Sequence, residues 1–439
     1  MKGVRIGRSM LDTIHSYDNT RLTTFCPSVH WLREYLDGVP YLTVDEDEWM
    51  AQDPAHKELD WKNFVKIFMG AALNLPDEEK GMVYPPSYVK KDEEATKNLY
   101  PYLDVAGYNY YNDKYDTLHE LHPERVILGT ETQADKIVKT MRHAKEHPYV
   151  IGDFIWTLQD HLGEANVCGI SYGQDNAAKR TSYEDGREYP WLVNYSGMID
   201  LIGTILPSTH LFEFAWGEQK GIFLAAQPPV HQGIAPTFVS YKWTDSVDGW
   251  TFEGCEGEKT FVDVYTDACE AEVLVNGVSQ GRQKVTDYFA KFPCVYEPGE
   301  VVAIGYDESG KELYRNSMKT AGAKTKITAT ADKKQMQAGG DDVCYIQVEI
   351  TDEQGNLKLL PEHNVSITVE GEGTLQGFGS AYHMNEEKYN QKTHRTYLGR
   401  LLAVIRSGKN AGNVKVTFSA DGMAEECVEL QVANGIKVF

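Results

Sequence analysis

The hydrophobic period of this chain changes near residue 235, and that change limits its fold more than any other feature. Ahead of it, apolar runs of strand length alternate with segments whose apolar residues recur every three or four positions. Behind it the period drops to two, and glycine-bearing turns separate the runs. Residues 4–16 place Ile6, Met10, Leu11 and Ile14 on one helical face, and RLTTF (Arg21–Phe25) reads as a strand. A helix is predicted over 60–75, stopped by Pro76. YLDVAGYNYY (Tyr102–Tyr111) and RVILGTE (Arg125–Glu131) are apolar strands, and between 134 and 147 Ile137, Val138, Met141 and Ala144 share a helical face that ends before Pro148. YVIGDFIWT (Tyr149–Thr157) is a further strand. This alternation predicts parallel βα units over 1–234.

Beyond residue 255, TFVDVYT and AEVLVNG alternate strictly, with Asn276-Gly277 as a hairpin signal, and VVAIGYDESGKELY reads as a second hairpin. The pattern resumes after residue 326 in VCYIQVEITDEQGN, NVSITVEGEG and NVKVTFSADG. Two successive β-sandwiches are expected, over 238–322 and 323–439.

A chain of 439 residues exceeds one ordinary domain, and its 41% hydrophobic content is ample for several cores. The net charge of −22 leaves no basic surface for nucleic acid or for an anionic membrane. Uncharged ligands such as sugars meet no such penalty. There is no apolar run of 18 residues, and the first 21 residues lack the apolar core of a signal peptide. Seven cysteines, odd in number and without a CxxC, indicate neither a zinc ribbon nor a disulfide framework. A reducing cytoplasm is the expectation, provided no leader has been cut away.

Chemistry concentrates at the ends of three consecutive strands. The first ends in Asn109, Tyr110 and Tyr111, the second in Glu131, and the third in Trp156 with Asp160 close behind. Alone, a strand-terminal acid reads as a surface residue or a neighbour of a helix cap. In parallel βα architectures, however, the C-terminal ends of strands carry the catalytic groups. An amide, phenols, an indole and carboxylates on one face suit a pyranose, whose ring packs on aromatic faces and whose anomeric carbon a carboxylate can stabilise. Tyr108 and Phe154 are expected in the core. HELH (His119–His122) lacks the HExxH spacing and reads as a solvated connector before Pro123. The acidic run 45–48 reads as a solvated loop, and 35–41 and 83–88 as loops around an inserted segment. No metal and no cofactor is expected.

These segments resemble glycoside hydrolase family 2, in its β-galactosidase-like branch. The resemblance is carried by YLDVAGYNYYNDKYDTLHELHPERVILGTET, HPYVIGDFIWTLQDHLGE and YPWLVNYSGMIDLIG, in that order. It implies the second half of a (β/α)8 barrel, strands five to eight, followed by two immunoglobulin-like β-sandwiches. It makes Glu131 the nucleophile of a retaining hydrolase of β-galactosides, with Tyr110 flanking it, Trp156 lining the sugar subsite, and Asn109 and Asp160 as polar neighbours of the glycone. In that family an Asn-Glu pair ending the fourth strand supplies the acid/base, and no such pair precedes Met10 here. Asn385-Glu386 lies in the last β region, in a different context.

The chain therefore reads as the C-terminal part of a larger or split enzyme, inactive without its other half. A glucuronidase would require an Asn-x-Lys after the last barrel strand, whereas Asn176–Lys179 reads NAAK, one residue too long. This favours a neutral glycone, galactose first, over glucuronate or mannose, with a β-glucuronidase or another family 2 exo-β-glycosidase as the alternative. A non-catalytic carbohydrate-binding or assembly protein built on a degenerate half-barrel is the alternative of another class. The oligomeric state is not legible.

Overall fold

The computed structural model describes residues 2–27, 89–165, 170–171, 189–217, 219–231, 237–238, 242 and 244–434. The helix expected over 60–75, the loops at 35–41, 45–48 and 83–88, and the NAAK segment lie outside the described residues. The chain divides into two compact units, Met1–Trp156 with Arg180–Asp185, and Thr157–Lys179 with Gly186–Phe439.

In the first unit, α1 (Lys2–Tyr17) forms as its periodicity predicts. Leu11 is buried, but Ile6, Met10 and Ile14 stay about half exposed. Arg21–Phe25 does not form a strand. The Asp104 carboxylate captures the Thr23 N–H at 2.8 Å, which removes the donor a ladder would need. The helix α2 (Val89–Thr96) is followed by β1 (Ala106–Asn109), α3 (Tyr115–Leu121), β2 (Ile127–Thr132), α4 (Ile137–Glu146) and β3 (Val150–Ile155).

The three strands form a parallel sheet in the order β1-β2-β3. β1 is shorter than its apolar run because a turn at Tyr100–Tyr102 precedes it and Tyr110 leaves it with a positive φ of 58°. Tyr108, Tyr111, Tyr115, Leu118, Ile127 and Val150 make the core, so Tyr108 lies where expected, whereas Phe154 is exposed. The HELH segment is not a connector: His119 to Leu121 continue α3, because Tyr115 and Leu118, three positions apart, turn the same helical face into that core.

The second unit is built mostly of strands. A short pair, β4 (Ile170–Ser171) and β6 (Thr237–Phe238), is antiparallel, and a short helix, α5 (His210–Trp216), ends at Gly217 with a φ of 85°. Strand β5 (Ile222–Ala226) pairs with β7 (Lys259–Thr266), which pairs with β10 (Phe289–Val295). The first sandwich thus takes a strand from upstream of residue 238. Its second sheet runs in the order β12-β11-β8-β9, from β8 (Glu270–Val275), β9 (Val278–Lys284), β11 (Glu300–Tyr306) and β12 (Glu312–Lys319). Trp250, Phe252, Val264, Val273, Phe292 and Val301 share the core between these sheets.

The second sandwich packs β13 (Lys326–Ala331), β15 (Val343–Thr351), β17 (Gly373–Gly379) and β19 (Arg400–Ser407) against a five-stranded sheet. That sheet holds β14 (Gln335–Gln337), β16 (Asn364–Gly371), β18 (Thr393–Arg395), β20 (Gly412–Ala420) and β21 (Glu426–Ala433). Burial alternates along β8 and β15, the signature of strands with one face on a core. Each fully buried Val, Leu or Ile contributes about 1.5–3 kcal/mol. Among the described residues no helix is long and apolar enough to cross a membrane.

Candidate active site

Strand β2 carries Glu131 one residue before its end, on the side where parallel βα units place their ligands. Its register partner is Asn109 on β1, and the ladder shifts between Tyr108 and Asn109. That irregularity turns both Asn109 and Tyr110 toward the acid. Asn109 Nδ2 donates to Glu131 Oε2 at 2.9 Å, and the Tyr110 hydroxyl donates to Glu131 Oε1. Thr130 Oγ1 donates to Asn109 Oδ1 at 2.8 Å, which leaves the amide's NH2 facing the carboxylate.

The backbone is tied at the same point. Tyr110 N–H donates to the Glu131 carbonyl at 2.7 Å while Tyr110 holds its left-handed conformation. A bulky residue in that region is strained by about 1–3 kcal/mol and persists only where its surroundings hold it. Here two bonds to one neighbour do so. Asn109, Tyr110 and Glu131 are all half-buried, reachable from solvent yet fixed in orientation.

Behind the acid lies a group that sequence reading missed. Thr132 Oγ1 donates to Asp153 Oδ1 at 2.7 Å, while Asp153 Oδ2 is shielded and makes no hydrogen bond. Burial pushes the Asp153 carboxyl up to about 7, against the opposing effect of the Thr132 bond. Gly129 makes room for it: a Cβ there would lie 1.8 Å from Asp153 Oδ1 and 2.6 Å from the Tyr115 hydroxyl. The signal was available, since Asp153 interrupts an apolar strand in which an acid has no business unless it is paired or neutral.

Cys26 borders the same site, and burial raises its thiol to about 11, with the Glu131 charge adding to the effect. A second buried cluster joins Glu93 of α2 to Arg125, His122 and the Tyr108 hydroxyl, with His122 Nε2 2.8 Å from Glu93 Oε2. Residues 93 and 125 are too far apart in sequence for any spacing rule to connect them.

Trp156 directly follows β3, half-buried, with its N–H donating to the Thr132 carbonyl at 3.0 Å. It therefore stands in register with the end of β2, one residue beyond Glu131. The structure thus brings Asn109, Tyr110 and Glu131 into direct contact and sets Trp156 just past the end of the adjoining strand. Asp160 belongs to the second unit. It is buried, its Oδ1 accepts the Gly197 N–H at 2.7 Å, and burial raises its pKa while the Lys242 charge opposes the rise. No Cβ fits at Gly197, which would meet the Asp160 nitrogen at 2.4 Å, so this carboxylate closes a tight backbone turn.

Comparison with known proteins relates the chain to glycoside hydrolases. Residues 327–429 match the model of glycoside hydrolase family 2 C-terminal domain 5, and residues 257–314 match a domain of unknown function, DUF4982. The chain is 25% identical over 376 residues to the Bacteroides ovatus beta-galactosidase BoGH2A, covering 75% of this chain and 39% of that protein. Among solved structures it is similar to a glycosyl hydrolase family 2 member from Bacteroides cellulosilyticus, with a TM-score of 0.68 and 30% identity. That match covers 78% of this chain and 44% of the other. A beta-glucuronidase from glycoside hydrolase family 2 shares the fold, with a TM-score of 0.53 at 16% identity, over 79% of this chain and 37% of that one. The chain spans less than half the length of each of these three proteins.

Proposed function

Because the chain belongs to glycoside hydrolase family 2, we propose that it carries the nucleophile of a retaining enzyme that removes terminal β-D-galactosyl residues. Glu131 attacks the anomeric carbon, the aglycone oxygen leaves with a proton from the acid/base glutamate, and water then hydrolyses the glycosyl ester as that glutamate takes the proton back. The acid/base comes from outside these 439 residues, in a longer parent or a separate polypeptide. The relatives, each more than twice the length matched here, support that reading. Tyr110 and Asn109 aim the nucleophile, and Trp156 packs on the sugar.

The same reading makes β1, β2 and β3 part of a half-barrel over 1–234, followed by immunoglobulin-like modules over 238–322 and 323–439. Galactose is preferred to glucuronate because of the misfit of the NAAK spacing.

The observation that carries the proposal is the Glu131 carboxylate fixed at both oxygens by donors from the adjoining parallel strand. Its test is covalent trapping. In the parent enzyme, a 2-deoxy-2-fluoro-β-galactoside inactivator should add one fluorogalactosyl group, mapped by peptide mass to Glu131. Attachment to another residue would refute the assignment. Faster trapping by the glucuronic acid analogue would keep the nucleophile but change the sugar.

A further inference from the structure

Away from Glu131, the side chains of Asp116, His143 and His147 each bring one ligand atom to within 4.8 Å of the others. Asp116 sits in the first turn of α3, His143 in the last turn of α4, and His147 is the residue that caps α4. The two histidines are four positions apart, the helical spacing that presents a pair of imidazoles to one ion. Their rings lie 4.3 Å apart, and His143 Nε2 is 3.5 Å from Asp116 Oδ1. That nitrogen is shielded from solvent yet makes no hydrogen bond. The Tyr149 hydroxyl donates to Asp116 Oδ1, and its ring stacks on His119 at 3.8 Å, so the carboxylate is oriented from behind. A metal-ligating carboxylate is typically held in this way.

We infer that Asp116, His143 and His147 form a binding site for a first-row divalent transition metal, zinc above all. Two imidazole nitrogens disfavour magnesium and calcium, which take oxygen ligands, and three protein ligands leave a fourth tetrahedral position for water. Bonds of about 2.0–2.2 Å set tetrahedral ligands roughly 3.3–3.6 Å apart, a distance the His143–Asp116 pair already has and the other pairs reach by closing at most about 1.5 Å. The Asp116 side chain is 67% exposed, so this closure meets little packing on its side. The site stands at the opposite end of the sheet from the proposed nucleophile. The Tyr149 carbonyl accepts from Ile127 N–H at 2.7 Å, where β2 begins, whereas Glu131 is near its end. The ion therefore clamps α3 to α4 and takes no part in chemistry at Glu131, so this inference is independent of the glycosidase reading.

The test is titration of the full, chelator-stripped chain. Zinc binding is followed by calorimetry, and cobalt binding by visible d–d absorption. One ion per chain is expected, together with a rise in Tm of several degrees at saturating zinc. Both signals should vanish in His143→Ala and in the milder His147→Gln, with far-UV circular dichroism unchanged. They should persist in His15→Ala on exposed α1, and Tyr149→Phe should weaken binding about 10–100-fold. Zinc bound equally by the wild type and by the His143→Ala/His147→Gln double variant, or no zinc bound by the wild type at 100-fold molar excess, overturns the inference.

Discussion

Glu131 is held by contacts that can be removed one at a time. Glu131→Gln keeps the side chain's shape but removes the attacking charge, and in the parent enzyme kcat should fall by at least about 10⁴-fold, as nucleophile losses do. Tyr110→Phe deletes a donor to the Glu131 carboxylate, and a loss of about 10²–10³-fold in kcat, the scale of a single preorganised hydrogen bond, is expected. Both are read from initial rates on a nitrophenyl galactoside.

Asp153 gives a stability prediction with a definite sign. Its folded pKa, about 7, lies above the ordinary value of 3.8, so the folded state favours the protonated form. That contribution is fully present at low pH and is lost as pH rises through 7. Between pH 5.5 and 8.5 the first unit should lose roughly 2 kcal/mol from this group. Asp153→Asn should flatten that part of the profile in thermal melts at the two pH values. Gly129→Ala should cost about 1–3 kcal/mol, because the added methyl must displace the Asp153 carboxyl and the buried Tyr115 hydroxyl.

Among the elements, the β8–β9 hairpin shows what local sequence can determine. Asn276 and Gly277 take positive φ values of 50° and 81°, as a two-residue hairpin turn requires, and the turn signal was legible. Nothing crowds the Gly277 Cα, so Gly277→Ala should cost about 1 kcal/mol through the backbone alone. Asn276→Ala should cost about 2 kcal/mol, since the side chain also donates to the Pro298 carbonyl and accepts from Glu300 N–H. Urea midpoints with unchanged slopes would check both.

Strands β1 to β3 and most of the two sandwiches were likewise readable from their periods, and Asn109, Tyr110 and Glu131 from their shared position at strand ends. The failures have a common physical cause. Arg21–Phe25 has strand composition, but a carboxylate 81 residues away takes its donor. HELH looked like a loop because the buried face of α3 is supplied by Tyr115 and Leu118 ahead of it. Asp153 and Glu93 act through partners that only tertiary packing brings near. Local pattern reports what a segment prefers, not which distant group claims its polar atoms.

For the molecule as a whole, the second unit contains two separate hydrophobic cores, one gathered around Trp250 and the other around Phe418. Ile222→Val in the first and Ile346→Val in the second should each cost about 0.5–1.5 kcal/mol. Because the residues share no partners, the double variant should equal the sum within about 0.5 kcal/mol. A larger discrepancy in denaturant titrations would show that the cores are coupled.

The left-handed Tyr110 also bears on protein engineering. Glu131 owes its aim to a kinked corner of the neighbouring strand, so transplanting the glutamate alone onto a regular parallel sheet would yield a carboxylate pointing wherever its rotamer falls. A working graft would have to carry the Asn109–Tyr111 corner with it, twist included.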